Sequence, residues 1–230
     1  MSDHAHHSVV IPAPGPGFQD HVVAHHFDTA DQEFDACKLG FWLFLATEIL
    51  LFGGLFAAYF YFHQMYPETF VACGRTLSWK LGALNTTVLL LSSWTMAMGV
   101  RSAQTSQKGK LLVYCALTVL GAAIFMVVKF FEYSAKIDHG FLPGRFFTDP
   151  AGELAHLEYP NMFFSIYFTM TGIHGLHVLI GAALIIWIMV GAKRGRFHAG
   201  YYLPVDLVGL YWHLVDLIWI FLFPLLYLVP

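Results

Sequence analysis

Charged side chains are scarce in this sequence: Asp, Glu, Lys and Arg together account for 12% of its 230 residues. The net charge is −3 and no basic patch is present to neutralise phosphates, so the composition argues against nucleic acid as a partner. Hydrophobic residues account for 57% and the mean hydropathy is +0.61, which is more than a soluble domain of this size needs for its core. The composition therefore predicts an integral membrane protein.

Cysteine is also scarce, and the N-terminal region lacks basic residues. The three cysteines, at positions 37, 73 and 115, cannot form a disulfide framework, so we interpret them as free thiols. The first 37 residues contain neither Lys nor Arg and no apolar core segment, and we expect no cleavable signal peptide there. They hold six of the thirteen histidines and a Pro- and Gly-rich run at 12–17, which predicts a polar cytoplasmic tail, disordered or bound to a partner. Near its end, Thr29 and Gln32 predict a capping box for a short acidic helix.

Five long apolar runs follow the tail, and each predicts a membrane-spanning helix. They lie at about residues 39–62, 81–100, 111–133, 162–190 and 205–229. Each has 20 residues or more, enough to cross ~30 Å of hydrocarbon at ~1.5 Å per residue. Because unpaired backbone groups are excluded from lipid and no alternating strand pattern is present, we predict helices rather than barrel strands. The predicted fold is an all-α bundle of five transmembrane helices over residues 38–230.

The basic residues in the connections predict the orientation of the bundle. The side that holds the N-terminus has seven of them: Lys38, Arg101, Lys108, Lys110, Lys193, Arg194 and Arg196. The opposite side has four: Arg75, Lys80, Lys136 and Arg145. Because Lys and Arg are enriched in cytoplasmic loops, this bias predicts a cytoplasmic N-terminus and a C-terminus outside.

The last apolar run carries a polar stripe. Asp206, Gly209, His213 and Asp216 fall within roughly 80° of one another at 100° per residue. An ionisable group at the middle of a bilayer costs at least ~3 kcal/mol when it faces lipid. We therefore expect this stripe to face protein or trapped water, which requires neighbouring helices.

Glu48 is the acidic residue of the first apolar run. It points away from a face of small residues, Ala46, Gly53 and Ala57, along which a neighbouring helix could approach closely. The bulky apolar residues around Glu48 disfavour its charged form. Two interpretations carry equal weight: a neutral acid that is hydrogen-bonded to a neighbouring helix, or a proton-linked group.

Polar residues in the second and third runs also predict contacts between helices. Asn85, Ser92 and Ser93 lie near one face of the second helix, where such residues usually hold helices together. Lys129 and Glu132 are three residues apart near the end of the third helix and so lie within reach of each other. Near the outer surface they form either a snorkelling ion pair or a contact with a zwitterionic lipid headgroup.

The intramembrane histidines leave three interpretations open. His174 and His177 lie on one face of the fourth helix, and His213 lies at a similar depth in the fifth. In the first interpretation, the three histidines belong to a structural polar network, with His213 hydrogen-bonded to Asp216 or to the histidines of the fourth helix. Alternatively, His174 or His177 and His213 hold a haem, or His174 and His177 bind a metal with Asp216 or Glu48. The network is favoured over haem, because a haem-binding bundle commonly shows two such pairs of histidines and this sequence offers only one plausible pair.

Several segments in order resemble subunit III of the haem–copper terminal oxidases over about residues 38–230. They are Glu48 in ATEILLFGGLFAAYF, LNTTVLLLSS at 84–93, Glu132-Tyr133, TGIHGLHVLIG at 171–181 and YWHLVDLIWIFLF at 211–223. HGLHV and WHLVDLIW together make this resemblance specific.

The resemblance implies an accessory, non-catalytic subunit of a bacterial inner-membrane complex that reduces oxygen to water and pumps protons. It implies no haem, copper or other metal in this chain, haem and copper in the partner subunits I and II, and bound phospholipid. The counterpart of Glu48 in that family is a buried, carbodiimide-reactive carboxyl. The family's subunit supports proton uptake and protects the catalytic subunit against inactivation during turnover. Lys129, Glu132, His174, His177, His213 and Asp216 are then candidates for lipid binding or for a structural network.

The chain departs from the seven-helix members of that family, which have two further helices before the one with the Glu48 counterpart. Five helices are typical of the quinol-oxidase members and of some bacterial cytochrome oxidases. We expect a cytochrome c oxidase subunit, because quinol members tend to carry Asp at this position. The alternatives are a quinol oxidase subunit III, a homologue associated with nitric oxide reductase, and a haem-binding membrane cytochrome that uses His174 or His177 with His213. A small transporter is disfavoured, because inverted repeats and broken helices are not visible.

Overall fold

The computed structural model describes Phe27, residues 29–152 and residues 154–228, and this part of the chain is helical apart from turns and two isolated bridges. The helices are α1 (Ala30–Met65), α2 (Pro67–Arg75), α3 (Trp79–Gln104), α4 (Lys108–Asp138), α5 (Pro160–Lys193) and α6 (Leu203–Phe223). A 3₁₀ turn at Gly144–Phe146 lies between α4 and α5, and a π-helical turn at Pro224–Leu228 continues α6. Among the described residues, five helices are long and apolar enough to span a membrane, so the predicted fold class is confirmed.

The first helix begins earlier than the apolar run predicts. The Thr29 side chain accepts a hydrogen bond from the Gln32 backbone N–H at 3.2 Å, and α1 then continues without a break to Met65. The expected short acidic helix is therefore the first part of α1, which continues directly into the first predicted span. The prediction of a disordered or partner-bound tail otherwise falls mostly on residues 1–26, which lie outside the described residues.

Helix α2 is a short amphipathic helix that no long apolar run predicts. Pro67 occupies its first turn, where the missing N–H is tolerated. Phe70 and Cys73 are buried, and the Thr69 hydroxyl donates a hydrogen bond to the Glu158 carbonyl at 2.8 Å. Burial raises the pKa of the Cys73 thiol to about 12. All three cysteines are free thiols, as predicted.

Helices α3 to α6 pack around one core, and small residues allow the close approaches. A methyl group added to Gly121 of α4 would lie 2.9 Å from the Ser92 Cβ of α3. One added to Gly181 of α5 would lie 2.8 Å from the Trp212 ring of α6. Because the neighbouring atoms leave no room for a side chain, these glycines set the spacing of the bundle.

Helix α1 lies on the outside of this bundle and contacts α5 and α6. Its outward side chains are strongly exposed; Leu50, for example, is 74% exposed. The small face of α1 at Ala46, Gly53 and Ala57 is exposed as well, and no atom lies within 4 Å of a methyl group placed on Gly53. Within the described part of the chain, no helix packs on this small face.

Candidate functional site

Glu48 of α1 and His177 of α5 form a pair at the junction of these two helices. The Glu48 Oε2 atom lies 2.7 Å from His177 Nε2, and the two side chains are 15% and 12% exposed. His177 Nδ1 lies 2.7 Å from the Ile173 carbonyl oxygen. Because a carbonyl only accepts, Nδ1 carries a proton, and the contact between Glu48 and His177 must hold one more proton. That proton lies either on the carboxyl, which gives a neutral pair, or on the imidazole, which gives an ion pair.

Aromatic side chains surround this pair. The Phe52 ring meets the His177 ring edge-on at 5.4 Å, and the Tyr211 hydroxyl donates to the His177 carbonyl at 3.3 Å. Farther along α1, the Tyr59 hydroxyl donates to the Leu225 carbonyl at 2.8 Å and provides a second polar link to the bundle. The apolar surroundings limit the number of waters that can compete for the shared proton.

Lys129 and Glu132 form the expected i, i+3 ion pair, with Nζ and Oε2 2.8 Å apart. They do not snorkel to the outer surface, because the two residues are only 5% and 4% exposed. Lys129 Nζ also donates to the Tyr167 and Tyr227 hydroxyls at 3.1 and 3.0 Å. Tyr227 in turn donates to Glu132 Oε1 at 2.6 Å. The polar atoms of the pair therefore face the protein interior, which favours a structural network over contact with a lipid headgroup.

The polar stripe of α6 faces α3, which agrees with the expectation that its ionisable groups face protein rather than lipid. Ser93 Oγ and His213 Nδ1 are hydrogen-bonded at 2.7 Å, so the predicted partners of His213, Asp216 or the histidines of the preceding helix, are wrong. Trp212 Nε1 donates to Ser92 Oγ at 3.2 Å on the same interface. Ser92 and Ser93 thus join α3 to α6, as the sequence predicts for small polar residues in a membrane helix.

Two site residues predicted from the sequence lie in the core without a hydrogen-bond partner among the described residues. His174 is fully buried, with its ring 5.4 Å from Phe125 and 5.1 Å from Trp219. Asp216 is 3% exposed, and Ser93 lies close enough to its carboxyl to interact with it.

The three intramembrane histidines therefore have different surroundings. His177 meets Glu48, His213 meets Ser93, and His174 packs on aromatic rings. Among the residues that the structure describes, no three His, Cys, Asp or Glu side chains come together as a possible metal site. Of the residues proposed as metal ligands, namely His174, His177, Asp216 and Glu48, only His177 and Glu48 are in contact with each other. Ligation of a haem iron through His177 Nε2 would require its bond to Glu48 to break.

The aromatic hydroxyls of the site were not identified from the sequence. Tyr59, Tyr167 and Tyr227 each satisfy a buried or half-buried partner on another helix or turn. A tyrosine in an apolar run is common at membrane interfaces and carries no local signal of such a role. Tyr133 belongs to a motif of the resemblance, Glu132-Tyr133, and its hydroxyl is hydrogen-bonded to Thr171 Oγ1 at 2.5 Å. Tyr59 and Tyr211 also lie within motifs of the resemblance, which do not specify the partners of their hydroxyls.

Comparison with known proteins identifies relatives over most of the chain. A family model described as cytochrome c oxidase subunit III matches residues 158–229. The cytochrome c oxidase subunit 3 of Thermostichus vulcanus is 31% identical over 203 residues, covering 88% of this chain and 92% of that protein. The cytochrome bo(3) ubiquinol oxidase subunit 3 of Pseudomonas aeruginosa is 28% identical over 210 residues, covering 91% and 92%. The probable quinol oxidase subunit 3 of Staphylococcus haemolyticus is 28% identical over 220 residues, covering 90% and 97%. The similarity thus extends to proteins named for both kinds of electron donor.

Proposed function

This chain belongs to the cytochrome c oxidase subunit III family, and we propose that it is the accessory, non-redox subunit III of a proton-pumping terminal oxidase. It is a multi-pass membrane protein, with five helices among its described residues that are long and apolar enough to span a membrane, and the proposed location is a bacterial inner membrane. The proposed partners are the catalytic subunit I, subunit II and phospholipids. Haem and copper would reside in the partner subunits rather than in this chain.

The observation that carries the proposal beyond family membership is the Glu48–His177 pair. A membrane-buried carboxyl that shares a proton with an imidazole can pass from a neutral to an ionic pair without a change in net charge. This supports the proposed role in proton uptake, whereas the proposed protection of the catalytic subunit rests on the family resemblance.

The exposed side of α1 supports the proposed contact with a partner subunit. Leu50 on that side is 74% exposed, and a methyl group placed on Gly53 or on Gly54 would have no neighbour within 4 Å. Small residues let helices approach closely in a membrane, so this face suits another transmembrane helix. A partner subunit's helices, or lipid, would also occupy the space that two further helices fill in seven-helix members.

For the electron donor, we propose cytochrome c, with quinol as the runner-up. The intramembrane acid is Glu48, and identities of 31% to a cytochrome c oxidase subunit and 28% to quinol oxidase subunits differ little. The donor binds another subunit, so the neighbouring subunits in the complex decide between these two and a homologue associated with nitric oxide reductase.

Purification from native membranes tests the proposal. A tag at the C-terminus should recover this chain together with a haem–copper catalytic subunit, identified by mass spectrometry. An absorption spectrum of the chain after separation from its partners should lack a Soret band. A Soret band in the separated chain would instead favour a membrane cytochrome, and recovery of the chain without any oxidase subunit would refute the accessory role.

A further inference from the structure

Easily oxidised aromatic rings form a chain from the core of the bundle to its surface. The Tyr227 ring centroid lies 6.4 Å from that of Trp219 and 6.4 Å from that of Tyr167. The Tyr167 centroid lies 6.1 Å from that of Tyr133. Tyr133 lines a surface groove of about 400 Å³ between α4 and α5, here called the Tyr133 groove. Tryptophan and tyrosine lose a single electron more readily than the other aromatic side chains, so neighbouring rings of these types offer an electron a route between the buried core and the surface.

The Tyr227 hydroxyl has both a proton acceptor and a hydrogen-bond donor in place. It donates to Glu132 Oε1 at 2.6 Å and accepts from Lys129 Nζ at 3.0 Å. A phenol that loses an electron becomes a strong acid, so it passes its proton to a base that is already within hydrogen-bond reach. A contact of 2.6 Å to a carboxylate meets that requirement. The Lys129 ammonium remains to hydrogen-bond the oxygen of the radical that results.

The polar contacts at the two ends of the ring chain differ from that of Tyr227. Trp219 Nε1 donates to the Thr86 hydroxyl at 3.1 Å, and the Tyr133 hydroxyl is bonded to Thr171 Oγ1 at 2.5 Å. A hydroxyl is a far weaker base than a carboxylate, so neither contact takes up a proton readily. Oxidation at either end of the chain should therefore move to Tyr227, where the proton has an acceptor.

We propose that Tyr227 is a redox-active tyrosine that gives an electron to a radical oxidant at the Tyr133 groove and its proton to Glu132. The electron passes through the rings of Tyr167 and Tyr133. The oxidant is an oxygen-centred radical, for example a peroxyl radical, which gains the electron and takes a proton from water to become a hydroperoxide. Tyr227 becomes a neutral tyrosyl radical and Glu132 a neutral acid.

A reductant at the same groove closes the cycle. A hydroquinone, for example, loses one electron to the ring chain and one proton to water, and Glu132 returns its proton to the Tyr227 oxygen. The chain would in this way remove damaging radicals and recover its starting state. This inference goes beyond the proposed function, because the electron and the proton move on this chain's own residues without haem or copper.

A tethered photo-oxidant tests the proposal on the full chain, with whatever partners co-purify. Ile137 lines the Tyr133 groove and is 46% exposed. Ile137→Cys is labelled with a ruthenium polypyridyl complex in a Cys37→Ser background, in which the remaining native cysteines are buried. A light flash with an external electron acceptor converts the complex into a one-electron oxidant. Rapid freezing and electron paramagnetic resonance should then detect a tyrosyl radical, which forms more slowly in D₂O than in H₂O.

Matched variants locate the radical and its proton acceptor. Tyr227→Phe keeps the ring but has no phenol, and should abolish the D₂O-sensitive radical. Lys129→Met/Glu132→Gln removes the base and both charges together, and should slow radical formation about a hundredfold, because a positioned base contributes about 10²–10⁴-fold. Tyr59→Phe is the control. The Tyr59 hydroxyl donates to the Leu225 carbonyl at 2.8 Å, which is no base for a proton, so this variant should leave the radical unchanged.

The same measurements can overturn the proposal. An equal radical yield in the wild type and in Tyr227→Phe would do so, as would an equal loss in Tyr59→Phe or no tyrosyl radical in the wild type. A purely structural network would change the unfolding free energy of these variants and leave the radical unaltered. If Tyr227→Phe does not fold, Tyr167→Phe interrupts the ring chain instead, and an undiminished D₂O-sensitive radical in that variant would contradict the route.

The outcome is independent of the proposed accessory role. The flash experiment gives its result whether or not an oxidase subunit is present, and the absence of a radical leaves the co-purification result untouched. The two proposals therefore fail separately.

Discussion

The buried Lys129–Glu132 pair allows a quantitative prediction about the stability of the bundle. Glu132→Leu would leave the Lys129 ammonium 5% exposed and without its carboxylate. Breaking one partner of a buried ion pair typically costs about 3–5 kcal/mol. The two tyrosine hydroxyls at 3.0 and 3.1 Å, and four aromatic rings whose centroids lie 5.1–5.7 Å from Nζ, remain to support the charge. We therefore expect a loss near the lower limit, about 3 kcal/mol.

Removing both charges should cost much less than removing one. Lys129→Met combined with Glu132→Leu replaces the pair by apolar side chains of similar length, a change that is often neutral or stabilising. We expect the double variant to lie within about 1 kcal/mol of the wild type, so that the coupling in the double-mutant cycle is about 2 kcal/mol or more.

Equilibrium unfolding in mixed micelles measures these free energies. Fluorescence is a suitable signal, because the Trp219 ring lies 5.3 Å from Lys129 Nζ. Glu68→Gln, which changes an exposed acid in the first turn of α2, is the control and should cost about 1 kcal/mol or less. The reasoning is refuted if Glu132→Leu costs no more than this control, or if the double variant is less stable than either single variant.

Four further predictions concern the proton-linked pair, the stripe of α6, the helix spacing and a thiol. Glu48→Gln should preserve assembly and initial oxygen consumption but alter proton uptake or resistance to turnover inactivation; loss of all initial activity at normal haem content would count against it. His213→Leu removes a hydrogen bond between α3 and α6 worth about 0.6 kcal/mol, occasionally ~1.7, and should loosen retention in the complex during detergent purification; unchanged retention would contradict this. Gly181→Ala should destabilise the chain by about 1–3 kcal/mol through its clash with an indole ring, whereas the control Gly54→Ala should be neutral in unfolding assays. Equal losses of stability in the two variants would exclude overpacking at Gly181 as the cause. Because burial raises the pKa of Cys73 to about 12, its maleimide labelling should stay slow through pH 9 and should still rise about tenfold per pH unit there, since the thiolate fraction rises in that proportion at any pH well below the pKa. A rate that matches that of an exposed thiol and levels off near pH 9 would refute the burial.

The lengths of the helices were only partly predictable. Apolar runs locate five spans because lipid excludes unpaired backbone groups, but every helix extends into the polar region at one or both ends. Helix α1 begins at Ala30 and α4 continues to Asp138. Water and headgroups do not prevent helical hydrogen bonding, so hydrophobicity alone cannot predict where a membrane helix ends.

The two side-chain pairs of the candidate site also differ in how far the sequence predicts them. The Lys129–Glu132 contact follows from helical geometry, because residues three apart on a helix are neighbours. The Glu48–His177 contact joins residues 129 positions apart on different helices, and no local pattern specifies it. It depends on the packing of α1 against α5.

The amino-acid sequence by itself determined a membrane protein of five helices, its polar stripe on α6 and its resemblance to a terminal oxidase subunit. Hydrophobicity and helical periodicity are local properties of a chain, and both can be read directly. Tertiary structure alone decided the partner of each buried polar group: Glu48 for His177, Ser93 for His213, and tyrosines from two helices for Lys129. Helix rotation and close packing fix those partners, and both depend on the shapes of all the neighbouring side chains together.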